Sequence, residues 1–487
     1  MKRSVHGSLV AMLLVVAGCC QCGGAERRNF VFLLVDDLGY MDIGANNPKT
    51  FYETPNVDAL AASGMRFTQG YAACPVCSPT RASILTGKYP VRTGITDYIP
   101  GMRNAKLRSA PNADRLPLEE ITFAEALKAK GYATFFAGKW HLGPEGYWPE
   151  NQGFDVNKGG TDRGGPYGGN KYFSPYGNPR LEDGPPGEHP PDRLATETVK
   201  FIEANRDRRF LAYLSFYSVH TPLMARPDLK AKYEAKAKTL HHDGPRWGRE
   251  REREVRWVQD HAVYAGMVEA MDQAVGKVLA ALDRTGLAQR TVVFFMSDNG
   301  GLSTSEGHPT SNLPFRAGKG WLYEGGIREP WIIRAPGITA PGSVCDTPVI
   351  STDFYPTILE LAELPLNPQQ HRDGVSLVPL LKGGRLRRDA PLFWHYPHYG
   401  NQGGAPSGAV RDGDWKLIEW FEDGQLELFH LADDPGERNN LATTNPAKAR
   451  ELHAKLVAWR HELNALMPTP NPDWTGKTQP AKKTRKN

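Results

Sequence analysis

Four segments of this 487-residue chain repeat one pattern, a short continuous apolar run followed at once by polar residues. Residues 30–35 run into Asp36-Asp37, residues 133–137 into Gly138-Lys139-Trp140-His141, residues 210–219 into His220, and residues 291–296 into Ser297-Asp298-Asn299-Gly300-Gly301. Runs this short, rich in Val, Phe and Leu and without alternation, suit strands buried on both faces of a parallel sheet. In open α/β sheets the ligand crevice lies at the carboxyl ends of the strands. All four polar clusters fall there, so they are expected to converge on one site.

Helical patterns lie between these runs. Residues 122–130 open with a capping box, Thr122 with Glu125, and stop at Gly131. Tyr264, Met267, Val268, Met271, Val275, Leu279 and Leu282 recur at i+3/i+4 spacing before Gly286, a stripe that belongs to core packing. The Gly/Pro-rich stretch over residues 159–191 has few apolar residues and is expected to be a long loop. After Gly374 the texture changes to short strand-like segments at 392–396, at 409–420 around the turn Asp412-Gly413-Asp414, and at 425–430, then a helix over 446–466.

The chain is also longer than one hydrophobic core usually supports. The predicted fold class is therefore α/β: a large domain over residues 26–374 with a mostly parallel central sheet flanked by helices, and a smaller C-terminal α+β domain with an antiparallel sheet over residues 375–467. Residues 468–487, dominated by Pro, Lys and Arg, are expected to form an unstructured basic tail.

Residues 1–18 read as an export signal, with Lys2 and Arg3, an apolar run over residues 9–17, and then Gly18-Cys19. That run is too short to span a bilayer. Val16-Ala17-Gly18-Cys19 resembles a bacterial lipobox, which implies a lipid anchor at Cys19; the competing reading is an ordinary cleaved leader. Both readings put the mature protein outside the cytoplasm, in the periplasm, on the outer membrane as a lipoprotein, or in the medium. Lys+Arg 59 against Asp+Glu 54 gives +5, lowered by two if Lys2 and Arg3 leave with the leader, so bulk charge offers no argument for nucleic acid. Of the six cysteines, Cys19, Cys20 and Cys22 lie at this processing site. Cys74, Cys77 and Cys345 remain for the fold, too few for a disulfide framework.

Cys77-Ser78-Pro79-Thr80-Arg81 leads into a helical stretch, Ala82-Ser83-Ile84-Leu85-Thr86, stopped by Gly87. This places Cys77 and Arg81 near a helix N-terminus, where free N–H groups and the macrodipole favour an anion. A cysteine there is, taken alone, more often structural than catalytic. An isolated Asp-Asp pair is likewise usually a solvated turn, but two acidic clusters at buried strand ends need a compensating cation. Asp36, Asp37, Asp298 and Asn299 supply only oxygen ligands, which suits a hard cation; zinc would want His or Cys.

The string C-x-P-x-R followed by A-S-x-L-T-G resembles the signature of the type I sulfatases, members of the alkaline phosphatase superfamily. The resemblance extends from about residue 29 to residue 441, and the other motifs follow in order: Val35-Asp36-Asp37-Leu38-Gly39, Gly138-Lys139-Trp140-His141-Leu142-Gly143, His220-Thr221-Pro222, Ser297-Asp298-Asn299-Gly300, and Lys319 with Glu324-Gly325-Gly326-Ile327-Arg328. It implies an alkaline-phosphatase-like large domain and a Cys77 oxidised by a formylglycine-generating maturation enzyme. The hydrated aldehyde then attacks sulfur and, after the alcohol departs, expels sulfate. It implies a divalent metal on Asp36, Asp37, Asp298, Asn299 and the modified Cys77. Calcium is preferred to magnesium, because formylglycine and sulfate oxygens would enlarge the shell. By the same resemblance Lys139 and Lys319 grip the sulfate, Arg81 orients the hydrate, His141 supports the hydrate and its turnover, and His220 protonates the leaving group.

Sulfate ester hydrolysis concentrates negative charge on the sulfuryl oxygens and the departing alkoxide, so fixed cations and a proton donor are the residue types the chemistry needs. The expected substrate is an O-sulfate group on a glycan, such as sulfated galactose or hexosamine. His395 and His398, in His395-Tyr396-Pro397-His398-Tyr399, are candidates to edge the sugar pocket, with fold support as the competing reading. Two alternatives remain at this point: a phosphodiesterase or phosphonate monoester hydrolase of the same superfamily, and a glycan-binding homologue that has lost catalysis.

Overall fold

The computed structural model describes residues 28–165 and 172–476. The leader read over residues 1–18, with Cys19, lies outside the described residues. The large sheet runs in the order Ser343–Cys345, Met65–Tyr71, Arg328–Arg334, Thr291–Ser297, Asn29–Val35, Phe210–Ser215, Ala133–Gly138 and Val156–Lys158, with Val349–Ile350 also paired to Met65–Tyr71. Only Arg328–Arg334 runs against its neighbours; the remaining pairings are parallel.

The central strand shows why its sequence does not alternate. Val31, Leu33 and Val35 pack on one face against Leu60, Leu194 and Met271 from the helices Pro55–Ser63, Pro190–Ala204 and Ala262–Arg284. Phe30, Phe32 and Leu34 pack on the other against residues such as Ile84, Phe123 and Phe354, from the helices Cys77–Thr86, Phe123–Lys128 and Phe354–Leu361. With helices on both sides, every position of the strand is removed from water, so all but the first, Asn29, are apolar, and Asn29 Oδ1 accepts from Phe210 N at 3.2 Å.

Three expected boundaries move. The strand read over residues 210–219 ends at Ser215. Residues 216–219 leave its ladder and wrap the first carboxylate, with Asp36 N donating to Ser218 O at 2.9 Å and Val219 N to Asp36 O at 2.6 Å. The long loop ends earlier than expected, because Pro190 and Pro191 open the helix Pro190–Ala204; proline at the first helical positions loses no hydrogen bond. The last helix is Pro446–Glu462, not 446–466. Asn464, at φ +50°, stands in the left-handed region, and Ala465 N reaches back to Arg460 O at 2.9 Å, a helix-terminating arrangement that the sequence marks only weakly.

The C-terminal strands Leu392–Tyr396, Ser407–Asp412, Trp415–Trp420 and Leu426–His430 form an antiparallel sheet in that order, turning at Gly413. Its tail does not behave as expected throughout: Thr469–Pro470 pairs with Leu107–Arg108, and Asn471 Nδ2 donates to Ala105 O at 2.7 Å. Residues 477–487 lie outside the described residues. Among the described residues no helix is long and apolar enough to cross a membrane.

The small sheet is fixed to the large domain by a buried charge cluster. Lys416 Nζ lies 2.9 Å from Glu324 Oε1 and 2.9 Å from Glu437 Oε1, with all three side chains inaccessible to water. Glu324 Oε2 also accepts from Tyr71 Oη at 2.7 Å. This cluster holds the segment that carries Lys319. Lys416→Ala would leave two carboxylates buried without their shared cation, at a cost of about 3–5 kcal/mol. We expect a clearly lowered midpoint of thermal unfolding, and an unchanged midpoint would show that the cluster does not brace the interface.

Candidate active site

The four polar clusters meet at the carboxyl ends of their strands. Asp36 and Asp37 follow Asn29–Val35, Lys139 and His141 follow Ala133–Gly138, and Asp298 and Asn299 follow Thr291–Ser297. His220 follows the 216–219 detour. Gly138 permits the convergence: at φ +98° a Cβ there would stand 1.8 Å from Ser215 O, and the close approach lets Lys139 N donate to that same oxygen at 2.9 Å. Cys77 is the first residue of the helix Cys77–Thr86, whose ten residues are all buried and whose cap residue, Val76, offers no side-chain acceptor. Its first N–H groups therefore receive no side-chain cap from Val76.

Three carboxylates and three cations interlock here. Lys139 Nζ lies 2.7 Å from Asp36 Oδ2, and Lys319 Nζ 2.8 Å from Asp37. Arg81 spans the site, with Nε 2.8 Å from Asp298 Oδ2, one terminal nitrogen donating to Ser215 Oγ at 2.7 Å and to Lys139 O at 2.8 Å, and the other 3.6 Å from Asp36 Oδ1. Burial would raise Asp36, but Lys139, His220 and Arg81 hold it well below the usual carboxylate range. Burial pushes Asp298 up to about 6 against the pull of Arg81. Lys139 and Lys319 are both raised: burial works against their charge, and the neighbouring carboxylates, Asp36 for Lys139 and Asp37 for Lys319, outweigh it.

The same groups suit a divalent cation. Ligand atoms of Asp36, Asp37, Cys77 and Asp298 lie within 4.8 Å of one another. Asn299 donates its amide nitrogen to Asp37 Oδ1 at 2.7 Å, while its buried Oδ1 has no hydrogen-bond partner. Three carboxylates and one uncommitted amide carbonyl fit a hard cation, whereas the unmodified Cys77 sulfur is a soft donor that does not.

His220 Nδ1 donates to Thr221 O at 2.7 Å, which leaves Nε2 facing Asp37 Oδ2 at 3.7 Å. His141 Nε2 donates to Ile99 O, and its buried Nδ1 is free of hydrogen bonds. Burial, reinforced by Lys139, pushes His141 well down, so this imidazole is neutral. Asp37 and His141 both stand at positive φ, 63° and 59°, an uncommon conformation for residues other than glycine that is concentrated at functional sites.

The family model described as Sulfatase matches residues 28–364, and the model described as N-sulphoglucosamine sulphohydrolase, C-terminal, matches residues 317–463. The chain belongs to the sulfatase family. This sulfatase is 33% identical to a protein named Sulfatase from Formosa agariphila, across 95% of this chain and 94% of the relative. It is 30% identical to the N-acetylgalactosamine-6-sulfatase of Mus musculus, across 91% and 82%. The solved structure of Ps i-CgsB in complex with k-i-k-neocarrahexaose superposes with a TM-score of 0.74 at 27% identity, covering 93% of this chain and 96% of that one. The chain is a sulfuric ester hydrolase of the alkaline phosphatase superfamily, in a family that generally uses formylglycine and a divalent metal.

His395 and His398 of this sulfatase are both bonded within the fold. His395 Nε2 donates to Leu466 O at 2.9 Å, and His398 Nε2 pairs with Thr96 Oγ1 at 2.8 Å. Burial pushes them down to about 4 and about 3, so both imidazoles are neutral and engaged in the fold. Conversely, the sequence reading missed Ser215, which receives Arg81, and Glu306, which accepts from Thr221, Asn401 and Gln402 beside His220. Ser215 lies at the carboxyl end of a buried strand and was open to the rule that found its neighbours. Glu306 carries no such signal.

Cys77 is 2% exposed, its Sγ 3.6 Å from Asp36 Oδ1, and burial pushes its thiol well up against the pull of Lys139 and Lys319. Since the thiolate is the reactive form, protein made without a maturation enzyme should keep Cys77 unalkylated by iodoacetamide at pH 8 and lose that protection in denaturant. Peptide mass analysis reads the difference; rapid labelling of the folded protein would contradict the buried, protonated thiol.

Proposed function

We propose that this sulfatase is exported and hydrolyses O-sulfate esters on carbohydrates, using formylglycine made from Cys77 and calcium held by Asp36, Asp37, Asp298 and Asn299. The convergence of Cys77 with Arg81, Lys139 and Lys319 at a helix N-terminus carries the reading, because it gathers three fixed cationic donors around one nucleophile position, with a divalent cation to offset the carboxylates that hold them. A carbohydrate substrate is supported by the names of the galactosamine sulfatase and of the oligosaccharide complex. Export, with Cys19 as the point of a lipid anchor, rests on the leader over residues 1–18, and the modification calls for a maturation enzyme as a transient partner.

The buried, protonated thiol of Cys77 is a poor nucleophile, which supports its conversion. Formylglycine supplies a geminal diol at that position, and a divalent cation supplies charge for the sulfate oxygens. The chain's own residues do the remainder. Lys139 and Lys319 are held by Asp36 and Asp37 at the positions where they can meet a sulfate. Arg81 is pinned by Asp298, Ser215 and Lys139 O, so it orients the group on Cys77 without a search through rotamers. His220 is fixed through Nδ1 and presents Nε2, the atom assigned to protonate the departing oxygen. Neutral His141 offers Nδ1 as the proton acceptor for turnover.

A sugar alkoxide needs a proton as it leaves, whereas nitrophenolate departs largely unaided. His220→Ala should lose about 100-fold or more in kcat on a sulfated sugar and far less on nitrophenyl sulfate. Lys139→Ala and Lys319→Ala remove contacts that both substrates share, so their losses should match on the two. Equal losses for His220→Ala would remove it as the general acid.

The metal assignment has its own test. Asp298→Ala takes away one charged ligand and the partner of Arg81, and should abolish turnover while weakening calcium binding in calorimetry of the mature enzyme. Full activity of wild-type enzyme after exhaustive chelation would refute the metal.

A further inference from the structure

Glu306 is an anion in a site assembled to bind anions. Its Oε1 accepts from the side-chain amides of Asn401 and Gln402, the latter at 2.9 Å, and its Oε2 accepts from Thr221 Oγ1 at 3.2 Å. Burial would raise its pKa, but Lys319 and His220 hold the carboxyl below the ordinary range, so it is ionised at neutral pH. Its backbone stands at φ +54°. The carboxylate is thus fixed by three separate segments: the turn after His220, its own loop, and the loop before the strand Ser407–Asp412.

Its position fixes what it meets. Asp36, Cys77, Lys139 and Lys319 are buried, whereas His220, Thr221, Glu306 and Asn401 are each partly exposed. Glu306 therefore lies toward the entrance, on the His220 side. With sulfate drawn to Cys77, Lys139 and Lys319, the alcohol portion of the ester must extend past His220 and along this carboxylate. This orientation rests on the assignment of His220 to the leaving group. A carboxylate has about four lone-pair positions, and three are occupied here. The remaining one, on Oε2, can take a hydrogen bond from a neutral donor but only repels an anion.

We propose that Glu306 is a specificity-determining residue that excludes leaving groups carrying a second anionic group beside the cleaved ester, and so selects alcohols that are uncharged there. Repulsion between fixed charges in a partly desolvated entrance is a means of discrimination that attractive contacts to the preferred substrate do not supply.

The test uses the mature enzyme with 4-nitrophenyl sulfate and its 3-carboxylate derivative, compared by kcat/KM. Intrinsic reactivity differences cancel when the ratio of the two is compared between wild type and Glu306→Gln, which keeps the shape and removes the charge. The preference for the uncharged substrate should fall by about tenfold in Glu306→Gln and persist in Glu306→Asp. A ratio unchanged in Glu306→Gln would overturn the proposal. If Glu306→Gln fails to fold, the wild-type ratio serves: raising ionic strength should narrow it by screening the repulsion, and a ratio independent of salt would overturn the proposal equally. Failure of the His220 assignment shows separately, as equal losses for His220→Ala on sugar and aryl substrates.

Discussion

Three carboxylates, Asp36, Asp37 and Asp298, stand fully buried at the ends of two neighbouring strands, and the rest of the structure answers that constraint. Isolated buried charges of this kind are too costly to retain. Arg81, Lys139 and Lys319 reach them from a helix, a strand end and a loop, each within about hydrogen-bonding distance. Any one of these cations taken alone would be equally costly to bury. The cluster therefore ties together segments far apart in the chain.

The C-terminal domain takes part in this arrangement. Trp321 and Tyr323, close to Lys319, pack with Trp420 of the small sheet, and Lys416 grips Glu324 a few residues further on. Gln402 and Asn401 reach Glu306 from the same domain. One wall of the site is thus held from behind by the smaller domain, through both apolar packing and a buried ion cluster.

The parts of the fold that were legible in the sequence are those where burial leaves no freedom. A strand covered on both faces is apolar at nearly every position, so residues 30–35, 133–137 and 291–296 announced themselves, and the polar residues beyond them come together at the strand ends. The capping box at Thr122 was legible because both of its hydrogen bonds are local. The reading overran at residues 216–219 because they are mostly apolar yet their backbone bonds Asp36 instead of the ladder, and composition does not report hydrogen-bond direction. His395 and His398 read equally as sugar-facing or fold-supporting because imidazoles beside aromatics suit either role; the partners that engage them in the fold, Leu466 O and Thr96, lie 71 and 302 residues away. Glu306 was invisible for the same reason: its partners come from residues 221, 401 and 402, and no local pattern distinguishes it from a solvated loop acid.

The burial of Cys77 also sets an order of events in the life of the chain. The groups that close over it include Lys139, Asp298 and Lys319, and the last two are synthesised more than two hundred residues after it. Any enzyme that modifies this side chain must reach it while the helix Cys77–Thr86 is still an open segment, before the sheet has closed. A chain that folds with this thiol intact has sealed it away from any reagent that must touch it.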